Sequence, residues 1–469
     1  MSTAAEIKAE ILRLSREFAR LAHRPNRPGN ESAAAFEPGK TVVPYAGRVF
    51  TEDEVEAAIG ATLDFWLTLG PEGDALENEL SAFLKIKGTI LVNSGSSANL
   101  LAVSALTSPK LGERRLHPGD EIITAAAGFP TTVAPILQNG CAPVFVDNDP
   151  ITLNACVGQL EAAYVPGKTK AVMMAHTLGN PFDLTAVAEF CQRHQLWLIE
   201  DNCDALGATY DQQLTGTFGD LSTQSFYPPH HMTMGEGGAV NVVRDMKLKV
   251  LVESFRDWGR DCWCASGKDN TCNKRFGWKL GELPEGYDHK YIYSHVGYNL
   301  KPLDTQAAIG RQQLKKLPAF VQARNKNWEL LRRELDPLAD FFEFMLPTHA
   351  KSWSREGFSW DNSKHRAGCS WFGFMMLVKP SAPFTRTEFA RALDAKKIGN
   401  RMLFGGNLVR QPAFVQLRQD NPAAFRVVGD LQGADRIMKE AIFVGVYPGL
   451  SAAMLDYMVE SITKFARSK

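Results

Sequence analysis

Residues 89–106 read TILVNSGSSANLLAVSAL, which is an apolar run, a turn of small polar residues and a helical pattern. The run TILV (89–92) predicts a buried strand, and ANLLAVSAL (98–106) predicts a helix that begins directly after the turn. Such a turn leaves the backbone N–H groups of the first helical turn free to bind an anion such as phosphate. By itself, the pattern is equally typical of an ordinary strand-to-helix turn with a serine cap.

Similar apolar runs alternate with helical patterns between about residues 55 and 245. The runs are EIIT (121–124), APVFVD (142–147), AVMMAH (171–176), LWLIED (196–201) and the segments around 223–227 and 238–243. This alternation predicts a largely parallel sheet with helices on both faces. Helical spacing also predicts a leading helix over 4–22, before a Pro/Gly/Ser connector at about 25–40, and a long helix over roughly 304–336.

Composition limits the class of protein. The chain has 469 residues with 52 basic and 52 acidic side chains, so its formal net charge is zero, and no sustained run of one sign occurs. This balance argues against a nucleic-acid or membrane-surface binder. No apolar run approaches the ~20 residues that span a bilayer, and the start MSTAAEIKAE does not resemble a signal peptide. We therefore expect a soluble, cytoplasmic protein whose length suits two domains.

Asp201 ends the apolar run LWLIED, at the carboxyl edge of the predicted sheet, where open α/β folds bind their ligands. A carboxylate at this place can keep a pyridine nitrogen protonated, or it can simply cap the strand end. Three segments now stand in order: Ser94-Gly95-Ser96-Ser97, Glu200-Asp201 and Ser225-Phe226-Tyr227-Pro228. Together they resemble the sugar aminotransferase family, the branch of fold-type I pyridoxal-phosphate enzymes that acts on nucleotide-linked keto-sugars.

The similarity extends through three further segments and so covers nearly the whole chain: Trp66-Leu67-Thr68, Gly128-Phe129-Pro130 and Gly297-Tyr298-Asn299. It implies an α/β fold of the fold-type I aminotransferase kind, with a mostly parallel seven-stranded sheet in a large domain and a smaller C-terminal α+β domain. The implied units are an N-terminal helix and arm (1–45), a large cofactor-binding domain (46–310) with an irregular excursion at 255–300, and a small domain (311–469).

The resemblance also implies a cofactor-binding set. Ser96, Ser97 and Ser225 would bind the phosphate of the cofactor, Phe129 would stack on its ring and Asp201 would meet its nitrogen. Gly95 and Asp204 complete the set within this subunit. Asn299 would reach the phosphate bound by the neighbouring subunit, which implies a homodimer.

One position departs from the family pattern SF-x-P-x-K, whose lysine forms the Schiff base with the cofactor. That position is His230 in SFYPPHHMTMGEGGAV, and no lysine occurs from residue 171 to 246. Without the amine, pyridoxamine phosphate bound non-covalently becomes the natural resting form. An imidazole can still move a proton at the C4′ carbon of the cofactor. The alternatives for His230 are a structural histidine or a catalytically dead homologue.

Four of the eight cysteines form a second pattern: Cys203, which lies two residues after Asp201, and Cys262, Cys264 and Cys272 in RDCWCASGKDNTC. Four thiolates suit a [2Fe–2S] cluster or a structural zinc ion, and spacing alone leaves both open beside a third alternative, unligated buried cysteines. The spacing is similar to the iron–sulfur motif of the 3-dehydrases that make 3,6-dideoxyhexoses, which also carry histidine for lysine. This resemblance favours the cluster. We interpret the other cysteines as packing residues.

The resemblance implies removal of the C3 hydroxyl from a nucleotide-linked 4-keto-6-deoxy sugar. The sugar would condense with pyridoxamine phosphate, His230 would remove a C4′ proton, and Asp201 would stabilise charge drawn into the ring. Electrons would come singly from an NADH-dependent flavin and iron–sulfur reductase. Arg401 and Arg410 are candidates for binding the substrate diphosphate, although either can equally form a surface ion pair. The alternatives are a cluster-free dehydrase or deaminating enzyme with zinc, an ordinary aminotransferase and a non-catalytic homologue. The sequence leaves the nucleotide open between CDP and dTDP.

Overall fold

The structure, a computed structural model, describes residues 2–29, 36–264 and 269–469. Its α-helices are α1 (Ala4–Ala22), α2 (Glu52–Asp64), α3 (Pro71–Leu84), α4 (Gly95–Leu106), α5 (Pro130–Gln138), α6 (Leu160–Ala163), α7 (Leu184–His194), α8 (Met246–Arg256), α9 (Asp304–Leu335), α10 (Arg386–Ala395), α11 (Pro412–Asp420), α12 (Gln432–Glu440) and α13 (Ala452–Arg467). In the described residues, no helix is long and apolar enough to cross a membrane.

The strands alternate with these helices over the first half of the chain. They are β1 (Gly88–Val92), β2 (Glu121–Ala125), β3 (Ala142–Val146), β4 (Thr169–Ala175), β5 (Trp197–Asp201), β6 (Thr209–Tyr210), β7 (Gln213–Leu214), β8 (Leu221–Ser225), β9 (Gly238–Val242), β10 (Phe342–Phe344), β11 (Ala350–Ser354), β12 (Gly357–Trp360), β13 (Ala367–Gly368), β14 (Gly373–Val378), β15 (Asn400–Arg401), β16 (Arg426–Val427) and β17 (Ala441–Gly445). The predicted strands of the large sheet and the predicted leading helix are all present.

The main sheet has the strand order β1-β9-β8-β5-β4-β2-β3-β16. All neighbours from β8 to β16 pair in parallel, whereas β9 is antiparallel to both β1 and β8. Strands such as β1 and β5 are buried along their whole length, which explains their continuous apolar runs. The sheet contains the seven predicted strands and one addition, β16, whose two residues are too few to leave a sequence signal.

The loop between β8 and β9, residues 226–237, is closed at its base. Ser225 and Gly238 are partners in the ladder of the two strands, and the Phe226 N–H donates to the Gly237 carbonyl at 2.9 Å. Antiparallel strands can be joined by a short connection, so the chain leaves the sheet and returns to it at the same edge. The loop that carries His230 therefore projects from one fixed point beside β5.

A second sheet, in the order β10-β14-β17-β15, lies in the C-terminal part of the chain. The 32-residue helix α9 leads from the main sheet to this part and runs without a break through residue 310. At its start, the Asp304 carboxylate accepts the N–H groups of Gly70 and Gly73 at 2.8 Å, which caps α3. The boundaries 45/46 and 310/311 between the proposed units stay predictions.

Candidate active site

A cavity of about 330 Å³ opens at the carboxyl ends of β5 and β8 and at the N-terminus of α4. This is the edge at which parallel α/β sheets bind their ligands. The predicted site residues that line it are Gly95, Ser96, Phe129, Asp201, Cys203, Asp204, Ser225, His230 and Arg401. Lysine is absent from the described residues that line the cavity.

The N-terminus of α4 forms one wall. Ser94 is the N-cap, and its hydroxyl accepts the Ser97 N–H at 3.1 Å. A Cβ atom on Gly95 would lie 2.5 Å from the Cβ of Ser225, so only glycine allows β8 to approach the helix this closely. The wall therefore presents backbone N–H groups and the positive end of the helix dipole to the cavity. Ser97 itself lies behind this wall, where its hydroxyl donates to Asn93 Oδ1 at 2.7 Å.

Asp201 is held at the floor by two side chains that the sequence analysis missed. Its Oδ2 accepts Asn99 Nδ2 at 2.9 Å and Thr132 Oγ1 at 2.7 Å, while Oδ1 accepts the Cys203 N–H at 3.2 Å. The carboxylate is thereby fixed in orientation while it faces the cavity. The place of Asn99, one helical turn after Gly95 on the same face of α4, was the signal that could have identified it.

His230 presents a partly buried imidazole to the cavity. Its Nδ1 lies 3.5 Å from Asp204 Oδ1 and has no hydrogen-bond partner. Burial, followed by the nearby Arg324 guanidinium, lowers the pKa of His230 to about 4. Burial and then the Asp201 carboxylate raise the pKa of Asp204 to about 8. At neutral pH the ring is therefore uncharged and able to accept a proton.

Arg324 in α9 forms hydrogen bonds with the His230 loop, and the sequence analysis missed this arginine. The side chain is buried, and its Nη2 donates to the carbonyls of Pro229 at 3.2 Å and His230 at 3.0 Å. Its Nη1 donates to the carbonyls of Trp371 at 3.4 Å and Phe372 at 3.3 Å. One guanidinium thus ties the His230 loop to the segment that leads into β14.

The two predicted diphosphate ligands have different surroundings. Arg401 lies at the rim of the cavity, with its guanidinium carbon 4.1 Å from the centroid of the Tyr45 ring. Arg410 is outside the lining and forms a bidentate ion pair with Asp435, at 3.0 and 2.7 Å. Its contacts are those of the surface ion pair that the sequence allowed as the alternative.

Asn299 does not line the cavity of its own chain. Its side chain is exposed, and its backbone forms an isolated bridge with Asp257. An exposed position on the outside of the chain is compatible with a role in a neighbouring subunit. That role stays a prediction.

Of the four cysteines predicted to bind one metal centre, Cys262, Cys264 and Cys272 interact with one another, whereas Cys203 has other neighbours. The Cys203 thiol lies in the cavity, 4.0 Å from Thr223 Oγ1, whereas the Cys272 thiol lies 3.8 Å from His289 Nδ1. Cys264 directs its N–H to the Cys262 sulfur at 3.5 Å. Within 2–29, 36–264 and 269–469, no group of three or more His, Cys, Asp or Glu side chains is placed to hold a metal ion. The described arrangement therefore does not fit a four-thiolate centre, because Cys203 and the other three cysteines have different neighbours.

The cavity does fit pyridoxamine phosphate. The α4 wall matches a phosphate, the fixed Asp201 carboxylate matches a protonated ring nitrogen, and the half-exposed Phe129 ring offers a stacking surface. The buried, unpaired Nδ1 of His230 completes the cavity with a group that can exchange a proton. A fold of this kind with such a site defines a pyridoxal-phosphate-type α/β enzyme, the class of the fold-type I aminotransferases.

Comparison with known proteins identifies the family. Residues 49–463 match the DegT/DnrJ/EryC1/StrS aminotransferase family, and the chain belongs to it. It is 48% identical over 463 residues to the lipopolysaccharide biosynthesis protein RfbH of Salmonella typhimurium, covering 99% of each chain. It is also 48% identical over 435 residues to the dTDP-4-dehydro-2,6-dideoxy-D-glucose 3-dehydratase of Saccharopolyspora spinosa, covering 93% of this chain and 89% of the relative.

Solved structures agree with this assignment. The Escherichia coli GDP-4-keto-6-deoxy-D-mannose-3-dehydratase with bound hydrated pyridoxal phosphate superposes with a TM-score of 0.75 at 27% identity, covering 90% of this chain and 99% of that chain. The predicted fold class is thereby confirmed. The prediction that the chain is an enzyme of the pyridoxamine-phosphate type, related to nucleotide-sugar 3-dehydratases, is confirmed as well.

Proposed function

We propose that this protein removes the C3 hydroxyl of a nucleotide-linked 4-keto-6-deoxyhexose, using pyridoxamine phosphate as a non-covalently bound cofactor. The observation that carries the proposal is the imidazole of His230, which stands in the cofactor cavity where the family pattern has lysine. The 48% identity to a 3-dehydratase that acts on a dTDP-linked keto-sugar supports the same reaction class. The name of the Salmonella relative supports a place in the synthesis of lipopolysaccharide sugars.

The side chains of the cavity have separate tasks in this reaction. When bound, pyridoxamine phosphate supplies an amine that condenses with a carbonyl and a ring that accepts an electron pair. The α4 N-terminus, with Ser96 and Ser225, would bind its phosphate, and Asp201 would keep its ring nitrogen protonated. His230 would remove the proton from the C4′ carbon, with Asp204 Oδ1 lying 3.5 Å from its Nδ1. Arg401 would bind the nucleotide diphosphate at the rim.

We also propose a homodimer in which Asn299 completes the phosphate site of the neighbouring subunit. Two observations support it: Asn299 is exposed and lies outside the cavity of its own chain. Apolar side chains near it are exposed too, including Val296 and Leu303. Exposed apolar groups around a polar binding residue are typical of a subunit interface.

We further propose that Cys203, Cys262, Cys264 and Cys272 bind a [2Fe–2S] cluster that receives electrons from an NADH-dependent flavin and iron–sulfur reductase. The support is the spacing of the four cysteines, and the neighbouring positions of Cys262 and Cys264. Since the described arrangement would have to change before four thiolates met, no chemical step is assigned to the cluster. Iron, zinc and acid-labile sulfide, quantified after anaerobic purification, separate a cluster from structural zinc.

The reaction is tested by incubating the enzyme and pyridoxamine phosphate with CDP- and dTDP-linked 4-keto-6-deoxy sugars, each with and without its 2-hydroxyl. Mass spectrometry should detect loss of oxygen at C3 from one of them, in the presence of the reductase or without it. His230→Asn should abolish this loss while cofactor binding is retained, since asparagine cannot act as a base at neutral pH.

The matched control is His231→Asn. His231 is the next residue and is more deeply buried, but its Nε2 bonds to the Ser370 carbonyl and it does not line the cavity. We expect this variant to keep C3 deoxygenation when folded. A product that has gained an amino group in place of the 4-keto oxygen would instead identify an aminotransferase. Full activity of His230→Asn, or no turnover of any keto-sugar, would contradict the proposal.

A further inference from the structure

We propose that the apolar stripe of α1 packs against a second copy of this chain, as part of the same two-fold interface that brings Asn299 to the neighbouring cofactor site. The stripe consists of Ile7, Ile11, Leu14, Phe18 and Leu21. This inference rests on the homodimer of the proposed function and adds to it the element that forms the outer part of the interface.

The orientation of α1 on the protein is the first observation. Its polar side faces α2, where Lys8 pairs with Asp64 and Arg16 pairs with Asp53. The stripe points away, and each of its side chains is between 36% and 64% exposed. A surface helix of a monomer normally buries its apolar side against the core. In α1, the small residue Ala19 is buried against the protein and the five large side chains of the stripe face outward, so the stripe has the orientation of a docking surface.

The spacing of the stripe is the second observation. Its members follow one another at intervals of four, three, four and three residues along the helix. This 3.5-residue average is the pattern by which a helix packs along another helix. α1 also precedes residue 49, where the match to the family model begins.

The stripe continues into a wider apolar band. Because Lys8 of α1 reaches Asp64 at the end of α2, the first turns of α1 adjoin the last turn of α2 and the segment after it, where Leu63, Phe65, Trp66 and Leu67 are all exposed. The indole N–H of Trp66 donates to the Leu69 carbonyl, and the next residue, Gly70, is bound by Asp304 at the start of α9.

That contact brings the band to the surroundings of Asn299. Leu303, next to Asp304, is 53% exposed, and Asn299 precedes it by four residues. If a second copy covers Asn299, it also covers the band that runs from there to α1. The continuity of the surface thus selects a second copy of the chain as the occupant.

The size of the band favours a permanent partner. Leu63 in the last turn of α2, three residues after α2 and five residues in α1 expose large apolar side chains, each by 36% to 73%. Together they offer on the order of the ~800 Å² that each partner buries in a standard interface, whereas the largest apolar patch of a typical monomer is roughly 300–600 Å². An encounter with a redox partner buries less and is more polar.

Charge argues against a membrane surface as the occupant. An interfacial helix needs Lys and Arg side chains that are free to meet anionic lipids. In α1, the cations are bound to carboxylates of the protein itself: Lys8 to Asp64, Arg16 to Asp53, and Arg13 to Glu10 and Glu17 of the same helix. The face that remains is apolar and suits the matching face of another chain.

The test compares three full-length variants: Leu14→Lys and Phe18→Lys on the stripe, and Glu17→Lys beside it. Mass photometry across a dilution series measures the dimer dissociation constant, and circular dichroism verifies that the fold is kept. We expect each stripe variant to raise the constant by roughly 100-fold, because each replaced side chain occurs twice in a two-fold interface. The Glu17 variant should remain within about threefold of the wild type, since Glu17 is exposed beside the stripe.

The outcomes separate this inference from the dimer itself. A wild-type dimer that the stripe variants leave equally tight would overturn the role of α1 and leave the dimer through Asn299 intact. A wild-type monomer would overturn both. Co-sedimentation of the wild type with vesicles of anionic lipid, lost in Phe18→Lys without any change in dimerisation, would assign the stripe to a membrane instead and refute the inference.

Discussion

Replacement of Arg324 by methionine should impair catalysis more than it impairs folding. The guanidinium is the only described group that bonds at once to the carbonyls of Pro229 and His230 and to those of Trp371 and Phe372. Methionine has a similar length but no donor, so all four carbonyls lose a partner. Loss of a buried charged donor costs about 1.5–3 kcal/mol for each strong hydrogen bond. Part of this cost is offset, because the uncharged methionine avoids the desolvation of a buried charge. We therefore expect a net loss of about 2–4 kcal/mol in the free energy of unfolding.

The catalytic effect should be larger because the His230 loop loses its support. A displacement of about 1 Å in a catalytic group can reduce the rate by roughly 100-fold. We expect kcat for C3 deoxygenation to fall by about this factor while KM changes little, since Arg324 itself does not line the cavity. Arg324→Lys keeps the charge but loses the fork that reaches both segments, so its kcat should lie between those of the wild type and Arg324→Met.

The matched control is Arg332→Met on the same helix. Arg332 is also buried, but it pairs with Asp336 and stacks on Phe344, outside the cavity. The assay is steady-state kinetics of the nucleotide-sugar reaction, together with urea unfolding of each variant. If Arg324→Met and Arg332→Met lose stability equally and kcat is the same in both, the guanidinium is merely structural and the reasoning fails.

Three further predictions concern single residues. Gly95→Ala should weaken pyridoxamine-phosphate binding by at least roughly tenfold, because the new Cβ would meet Ser225 at 2.5 Å and displace the α4 wall; a fluorescence titration that gives wild-type affinity would contradict this. His230→Lys should bind pyridoxal phosphate covalently, with a visible absorption band and a borohydride-stable mass increase, and a colourless adduct-free variant would show that residue 230 does not face the cofactor. Burial lowers the pKa of His295 from 6.5 to about 4. Between pH 6.5 and pH 4 the unfolded chain therefore binds more protons than the folded chain, so the free energy of unfolding should fall as the pH drops through this range. His295→Gln should remove about 1–2 kcal/mol of this loss after allowance for partial exposure, which denaturant unfolding at pH 7 and pH 4.5 would measure; unchanged pH dependence would refute it.

The elements that the sequence predicted share a strong local signal. The strands β1 and β5 are buried on both faces, so their residues form continuous apolar runs, and the turn at Ser94–Ser97 follows from the small residues at the start of α4. Asp201 could be placed at the carboxyl edge because it ends such a run. In each case, neighbouring residues carry the information.

The groups that the sequence missed act over long separations. Arg324 lies 94 residues from His230, and Thr132 lies 69 residues from Asp201. Within its helix, Arg324 looks like any other cation, and only the packing of α9 below the loop gives it four carbonyl partners. The cysteines, in contrast, gave a clear pattern in the sequence that the described contacts do not match. Their spacing suggested a single centre, but the fold gives Cys203 and Cys272 different neighbours.

The closed base of the loop between β8 and β9 has a consequence for how such enzymes diverge. Because Ser225 and Gly238 are partners in the ladder, the sheet fixes both ends of the segment between them. The family can therefore carry either a lysine or a histidine at residue 230 without a change in the strands that hold the loop. A new reaction can then arise from a few substitutions at loop positions that line the cavity, while Phe226, Met232 and Met234 keep the rest of the loop packed in the core.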